Sequence, residues 1–431
     1  MPLSASPAWD AWSELSARLP SDLDLDALGR SHGAIQRVRG DGINDGTTLF
    51  RVSLARGPGG KSLPETALWA RQNGVAEIGG QALNERLHGS LAFLSAILHR
   101  LLAGRQAGKQ AAKTSIWAGR CLRIADGSSI SQRASKGTDW RVHGVYDLGL
   151  GGFSHLEITD VHGAESLLHC APVGKEVLIG DRGYAKVKAL QACLDRSGPQ
   201  ARDFIVRTGW RALVLRDRDG APFDLIAHLA EVPAGDTPRE WTVRPVLDGR
   251  KQPILPMIRL IAQPLPPDKV EAMRARLRQA ASRKQQKLDP RTLLAAGFMV
   301  LATALPEDIP ADEICAVYRL RWQIELAFKR LKSLLHIDRI PTRTTAGGLS
   351  WLYPHLILTL LTEDICQDFL AFSPEDLITD ARCSQWRVTK VAIDAVVCGL
   401  AGLSIGAFLA ADQNAHHLLA DTKRTRKRQR F

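Results

Sequence analysis

Between Cys121 and Val206 the chain reads as five short apolar runs, three close together and two separated by a helical stretch, and this order limits the fold more than any other feature. Cys121-Leu122-Arg123-Ile124-Ala125 leads into Asp126-Gly127-Ser128-Ser129, which predicts a strand closing on a polar turn. Residues 140–148 and 153–159 predict two more strands (Trp140, Val142, Val145, Leu148; Phe153, Leu156, Ile158), joined through Gly149 to Gly152 as a hairpin. Val177-Leu178-Ile179 is a short buried strand ending at Gly180-Asp181. A helix follows over Ala185 to Leu194, and Phe204-Ile205-Val206 is the fifth strand. Three strands able to pair antiparallel, then alternating helix and strand, form an α/β layer pattern. It delivers two aspartates, Asp126 and Asp181, to strand ends.

Outside that stretch the pattern changes several times. Residues 1–110 read as helical: Ser62-Leu63-Pro64-Glu65 supplies an N-cap, an early Pro and an acidic first turn for a helix to Gln72, and Asn73-Gly74 ends it. Leu83, Leu87, Leu91, Leu94 and Leu98 then predict one longer helix over Gln81 to Leu102. A short helix, a Gly turn and a second helix fit either a helix-turn-helix that enters a DNA groove or an ordinary helical hairpin. Residues 208 to about 265 carry strand and turn signals, including Asp217-Arg218-Asp219-Gly220 and Asp248-Gly249. Pro266-Pro267-Asp268 then opens a helix bearing Arg274, Arg276, Arg278, Arg283, Lys284 and Lys287. We therefore read 208–293 as a β-rich insertion between two parts of an α/β core, 111–207 and 294–365, with a helical C-terminal region over 366–431. The second part opens on a strand, Phe298 to Leu301, and continues into a helix from about Asp312 to Leu335.

The 57 Lys and Arg against 45 Asp and Glu leave a formal charge of +12 over 431 residues, which suits a partner with many phosphates or an anionic membrane. The longest apolar stretch, Val391 to Ala410, contains Asp394 and reads as a buried helix pair rather than a membrane span. No N-terminal stretch has the pattern of a secretory signal, and the seven Cys are scattered singly, so the expected compartment is reducing cytoplasm. Lys423 to Arg430, with six basic residues in eight, is a basic tail. With the basic helix at 274–287 it makes a track for phosphates, or else a solvated end.

The helix expected at 312–335 holds the most specific signal. At about 100° per residue, Tyr318, Arg321, Glu325, Lys329 and Lys332 fall within roughly 80° of one another, so one carboxylate is ringed by cations and a phenol. On its own this is what a solvated helix face with ordinary side-chain pairs looks like. In the company of Asp126 and Asp181 it becomes a candidate site. Phosphodiester cleavage needs an activated nucleophile and a leaving oxygen relieved of charge. Divalent metal ions held by carboxylate oxygens supply both. Arg321, Lys329 and Lys332 are then suited to hold flanking phosphates.

The pattern Tyr318-x2-Arg321-x3-Glu325-x6-Lys332, with Trp322 and Lys329, resembles the YREK signature of bacterial insertion-sequence transposases, the insertion-sequence-4 group of the DDE superfamily. Ile124-Ala125-Asp126-Gly127-Ser128-Ser129 and Ile179-Gly180-Asp181-Arg182-Gly183-Tyr184 resemble the same group's two Asp motifs. Together these motifs cover about 115 to 335. The resemblance implies a ribonuclease-H-like core with a strand-rich insertion, Mg2+ or Mn2+ held by Asp126, Asp181 and Glu325, and cleavage at the ends of a transposon. It further implies strand transfer of the freed 3′-hydroxyl into target DNA. The implied partners are double-stranded terminal inverted repeats and target DNA, with no membrane, and the implied assembly is at least a dimer holding two ends. The implied setting is the bacterial cytoplasm, at the nucleoid. Members that excise through a DNA hairpin hold a flipped base on an aromatic residue. Trp322 matches one such position, and Phe298 stands where well-known members have Trp. Core packing is the competing role for both aromatics.

Other polar residues weigh less. His143, His155, His162 and His169 match no metal-binding spacing, and Asp139, Asp147 and Asp160 read as turn or strand-end residues, with Asp160 the rival to Asp126. Two other functions fit the same residues: a DNA-binding protein that keeps a transposase fold without catalysis, and a metal-dependent nuclease without strand transfer.

Overall fold

In a computed structural model the described residues are 11–36, 40–57, 61–111, 117, 119–169, 171–198, 201–233, 235, 237–246, 255–338, 340–371 and 385–400. The basic tail, the Asp248-Gly249 turn and the part of the apolar C-terminal stretch beyond Leu400 lie outside them. The chain divides into two compact units, one drawn from 1–112, 129–140 and 327–427 and the other from 113–128, 141–326 and 428–431.

The first unit is helical. Its N-terminal helices are α1 (Ala11–Ser16), α2 (Leu25–Ser31), α3 (Gly46–Arg56), α4 (Leu63–Gln72), α5 (Gly80–His88) and α6 (Leu91–Ala111). The expected N-cap of α4 is present and forms a full capping box: Ser62 Oγ accepts from Glu65 N, and the Glu65 carboxylate accepts from Ser62 N. The single helix expected over 81–102 is two helices bent by 59° at Gly89-Ser90. Gly89 ends α5, and the Ser90 carbonyl opens α6 by accepting from Leu94 N. Apolar spacing is blind to such a break because Leu83, Leu87, Leu94, Ile97 and Leu98 are buried on both sides of it. No single helix among the described residues is long and apolar enough to cross a membrane; α5 and α6 pass as a bent pair on length and composition alone.

The second unit is built on a mixed α/β arrangement around a nine-stranded sheet. Its strands are β1 (Cys121–Ile130), β2 (Trp140–Asp147), β3 (Gly152–Asp160), β4 (Glu176–Gly180), β5 (Asp203–Arg207), β6 (Leu215–Arg216), β7 (Arg239–Pro245), β8 (Ile258–Pro264) and β9 (Phe298–Thr303). They lie in the order β3-β2-β1-β4-β5-β9-β8-β7-β6. β1, β4 and β5 are mutually parallel, whereas β9 runs antiparallel to β5 and the strands beyond it continue antiparallel. The helices between them are α7 (Val187–Leu194), α8 (Leu225–Ala230), α9 (Pro267–Arg283), α10 (Pro290–Ala295) and α11 (Ala311–Tyr318). α12 (Trp322–Leu334) begins in this unit, and from Ala327 on it belongs to the first, as do α13 (Thr345–Ala371) and α14 (Gln385–Leu400), the last with Asp394 on its exposed side.

One face of the sheet carries a core of Ala125, Leu178, Phe204, Val206, Leu260, Ala262, Val300 and Ala302 against Leu190, Cys193 and Leu194 of α7 and Leu225 and Leu229 of α8. Ile124, Ile179 and Ile205, adjacent in register on the opposite face, are also fully buried. A parallel sheet covered on both faces needs the continuous apolar runs seen in β4 and β5. Arg123 and Arg202 are fully enclosed with Glu176, which ion-pairs with both at 2.7 and 3.4 Å.

Candidate active site

β1 is longer than its sequence suggests. The polar Asp126-Gly127-Ser128-Ser129 run is strand, not turn, and β1 ends at Ile130. Leu122 to Ala125 are all buried, and beyond the polar Asp126-Gly127 pair Ser128 and Ile130 are buried again. Asp126 therefore sits inside a strand, but beyond the part of β1 paired with β4, whose last pair is Ile124 with Ile179. Carrying that register forward sets Asp126 level with Asp181, and the β4–β5 register sets Asp181 level with Arg207. Equal steps from the three isoleucines also put the three side chains on the same face. Asp126 and Asp181 thus lie just beyond the paired stretch of β1 and β4, and Arg207 closes β5.

Asp181 keeps an extended backbone and precedes a 3-10 turn, Arg182–Tyr184, without using its carboxylate as a cap. That carboxylate instead accepts from the Tyr318 hydroxyl at 3.4 Å. Tyr318 is buried; desolvation, then the Asp181 charge, pushes its hydroxyl well above the usual phenol value, so it stays a donor.

The helix expected over 312–335 is interrupted. α11 ends at Tyr318, Arg319–Arg321 is a 3-10 turn, and α12 starts at Trp322. Nothing in the local sequence demands this tighter turn, but its effect is clear: a 3-10 turn eclipses residues three apart, which brings Arg321 over Tyr318. Arg321 Nη2 then reaches Glu325 Oε1 at 2.5 Å, one turn on. Burial pulls the Arg321 guanidinium down, but Glu325, Tyr318 and Asp181 together outweigh it and leave it raised.

Asp126 is a strongly perturbed carboxylate. Its Oδ1 accepts from Gly127 N at 2.8 Å. Desolvation, reinforced by Glu165 and Glu325 and opposed by the Gly127 hydrogen bond and Arg321, raises its pKa to about 6. One guanidinium, Arg321, thus acts electrostatically on Asp126, Asp181 and Glu325 alike. Arg182 is lowered by burial and by Arg207, and both lie within reach of Tyr318. Arg207 and Glu165 were not singled out by any sequence pattern. Their roles depend on strand register and loop placement, for which the sequence alone carries no signal.

The remaining candidates are dispersed. Trp322 is 48% exposed, so it is not a core residue. Phe298, the first residue of β9, is half-buried and packs against the core of the second unit. Lys329 and Lys332 lie on the part of α12 that belongs to the first unit, where Lys329 is exposed and Lys332 Nζ donates to Ser129 O at 3.4 Å. Asp160 accepts from His162 N and Gly163 N, and Asp147 from Gly149 N and Leu150 N, both as turn-forming residues. Asp139 accepts from Gln132 N. His143 stacks on His169, and His169 bonds Glu157 and the Ala164 carbonyl.

Among the described residues no three His, Cys, Asp or Glu side chains stand close enough to hold one metal ion. The donor chemistry nevertheless fits a hard divalent cation: carboxylate oxygens only, with Asp126 crowded by like charges that such a cation would neutralise. Glu325 is engaged by Arg321 and would have to leave it to serve as a ligand.

Residues 117–361 match the family described as transposase DDE domain, which covers more than half of the chain and all three carboxylates. The chain belongs to this family. DDE transposases act on DNA and use divalent metal ions. The transposase for insertion sequence element IS421 of Escherichia coli is 37% identical over 368 residues, spanning 85% of this chain and 96% of its own length. The InsL protein of insertion sequence element IS186A of Escherichia coli strain K12 is 37% identical over 367 residues, with the same coverage. Among solved structures, the cryo-EM structure of a piggyBac transposase synaptic complex with hairpin DNA aligns with a TM-score of 0.46 at 8% identity, over 91% of this DDE transposase and 81% of that chain.

Proposed function

We propose that this protein is the DNA transposase of a bacterial insertion sequence, of the insertion-sequence-4 group with the YREK signature. It cleaves at the element's double-stranded terminal inverted repeats and transfers the freed 3′-hydroxyl into target DNA. The observation that carries this reading is the convergence of one guanidinium, Arg321, on Asp126, Asp181 and Glu325, two of them just beyond the paired stretch of adjacent parallel strands. The naming of relatives that match over 96% of their own length as insertion-sequence proteins supports the biological role.

Asp126, Asp181 and Glu325 would hold Mg2+ or Mn2+. When bound, such an ion polarises phosphoryl oxygens and makes water or a 3′-hydroxyl a competent nucleophile near neutral pH. The chain's own residues do the rest. Arg321, released from Glu325, grips a phosphate with its planar fork, and Lys329 and Lys332 hold flanking phosphates. Tyr318 keeps its proton and donates it in a hydrogen bond to Asp181 Oδ1, fixing that carboxylate's orientation. Trp322, already exposed, is suited to stack on an unpaired base, with Phe298 a weaker candidate because it packs against the core.

The core in this reading is ribonuclease-H-like, formed by 111–207 and 294–365. The order β3-β2-β1-β4-β5, with β1, β4 and β5 parallel, supports it. Residues 208–293 are its insertion, 1–110 a helical DNA-binding region and 366–431 a helical region with a basic tail. The protein works at the nucleoid, and two transposon ends are held by at least a dimer.

The test is to incubate purified protein with Mg2+, labelled terminal repeats and a target plasmid, alongside Asp126→Ala, Asp181→Ala and Glu325→Ala. Joined products that vanish in all three variants are the expected result. Cleavage without joining would make it a nuclease, and binding alone a regulator. Full cleavage by Glu325→Ala would overturn the assignment.

A further inference from the structure

The loop after β3 carries Glu165, a residue that belongs to no recognised motif. Its side chain lies across two glycines, one from each aspartate motif. A Cβ on Gly127 would stand 3.3 Å from both Cγ and Oε1 of Glu165, and a Cβ on Gly183 would overlap Oε2 outright. The Glu165 carboxylate therefore fills the space that two absent side chains leave, beside Asp126 on β1 and in the 3-10 turn that follows Asp181. Its backbone is held there: Lys186 Nζ donates to the Glu165 carbonyl at 2.8 Å, and Leu167 just after it is fully buried. Its charge is felt at Asp126 in the same sense as that of Glu325.

We propose that Glu165 is a positioning residue of the active site, seated on Gly127 and Gly183 so that it braces both aspartate-bearing segments and adds a fourth negative charge to the attraction for the divalent cation. This rests on the reading of Asp126, Asp181 and Glu325 as the metal-binding carboxylates. It also accounts for the Gly in each motif: a side chain at Gly183 would displace the carboxylate, and one at Gly127 would press tightly against it. At Gly183 the clash is with the far end of a flexible side chain, so an alanine there moves Glu165 aside without forcing the backbone to shift.

The experiment measures Mn2+ affinity of the full chain without DNA, by calorimetry or by the electron paramagnetic resonance signal of free Mn2+. Glu165→Gln keeps the shape and removes the charge, and Gly183→Ala keeps the charge and removes its seat. Each is expected to weaken Mn2+ binding about tenfold, the usual effect of losing a residue that supports metal ligands. The double variant should be little weaker than either single one, since both remove the same interaction. A purely structural role for Glu165 would leave Mn2+ affinity in Glu165→Gln unmoved. Wild-type affinity in Glu165→Gln, with affinity lost in Asp126→Asn, overturns the role of Glu165 alone. Wild-type affinity in Asp126→Asn as well overturns the metal-binding reading and this role with it. Should Glu165→Gln fail to fold, Gly183→Ala decides the matter by the same readout.

Discussion

Replacing Asp126 with Asn in metal-free protein should stabilise it at neutral pH. The Asp126 carboxyl is raised from an ordinary 3.8 to about 6, first by burial and then by Glu165 and Glu325. A raised carboxyl means that the native state binds the proton more tightly than the unfolded chain does, so this group lowers stability as pH rises from about 4 to 6 and keeps it lowered above that. At 1.36 kcal/mol per tenfold change in proton affinity the full penalty is about 3 kcal/mol, and residual solvent access at Asp126 brings the expectation to about 2 kcal/mol. Asn keeps an oxygen that can accept from Gly127 N and carries no charge, so it escapes the penalty. Urea unfolding in EDTA at pH 7.5 should show Asp126→Asn more stable than wild type by about 2 kcal/mol, with the difference gone near pH 4. Added Mn2+ should reverse the order, because only wild type gains the binding energy. An Asn variant equal to or less stable than wild type at pH 7.5 in EDTA would refute the electrostatic account of this carboxylate.

Three further outcomes follow from other parts of the molecule. Trp322→Ala should leave the unfolding midpoint unchanged, since the ring is 48% exposed, yet weaken capture of an unpaired base, read by 2-aminopurine fluorescence in cleaved ends, by about 1–3 kcal/mol. Reversing Arg276 and Arg283 to Glu on α9, a helix with no buried residue, should lower the slope of log affinity against log salt by about two, measured with non-specific duplex. Glu176→Gln should cost about 3–5 kcal/mol in chemical denaturation, because it removes a fully buried charge that pairs with the enclosed Arg123 and Arg202.

The candidate site was legible in the sequence where it depends on local spacing, and hidden where it depends on neighbours in space. Arg321 and Glu325 are four residues apart and meet on a helix, as helical geometry requires. Asp181 follows a run too short and too apolar to be anything but a buried strand. Asp126 lies within a strand where its local sequence suggests a turn. Asp-Gly-Ser-Ser has the composition of a turn, and its place beside β2 in the sheet, with Ser128 and Ile130 buried, keeps it extended. The level alignment of Asp126, Asp181 and Arg207 follows from the strand register, which becomes apparent once β4 is known to lie between β1 and β5. Glu165 is further still from local logic: it touches Gly127 and Gly183 through the fold and has no sequence relation to either.

The pairing of β5 with β9 has a consequence for how the protein is made. Thr303 Oγ1 donates to the Phe204 carbonyl across 99 residues of chain, and β9 also pairs with β8 on its other side. On a ribosome adding about 5–20 residues per second, the fully buried edge of β5 waits roughly 5 to 20 seconds for its partner. Any product that stops short of Phe298 lacks Glu325 and also leaves an apolar strand edge open, where a second chain can pair. Truncated copies of this gene should therefore accumulate as aggregates rather than as soluble inhibitors of the full-length protein, and the partition between pellet and supernatant on expression would reveal it.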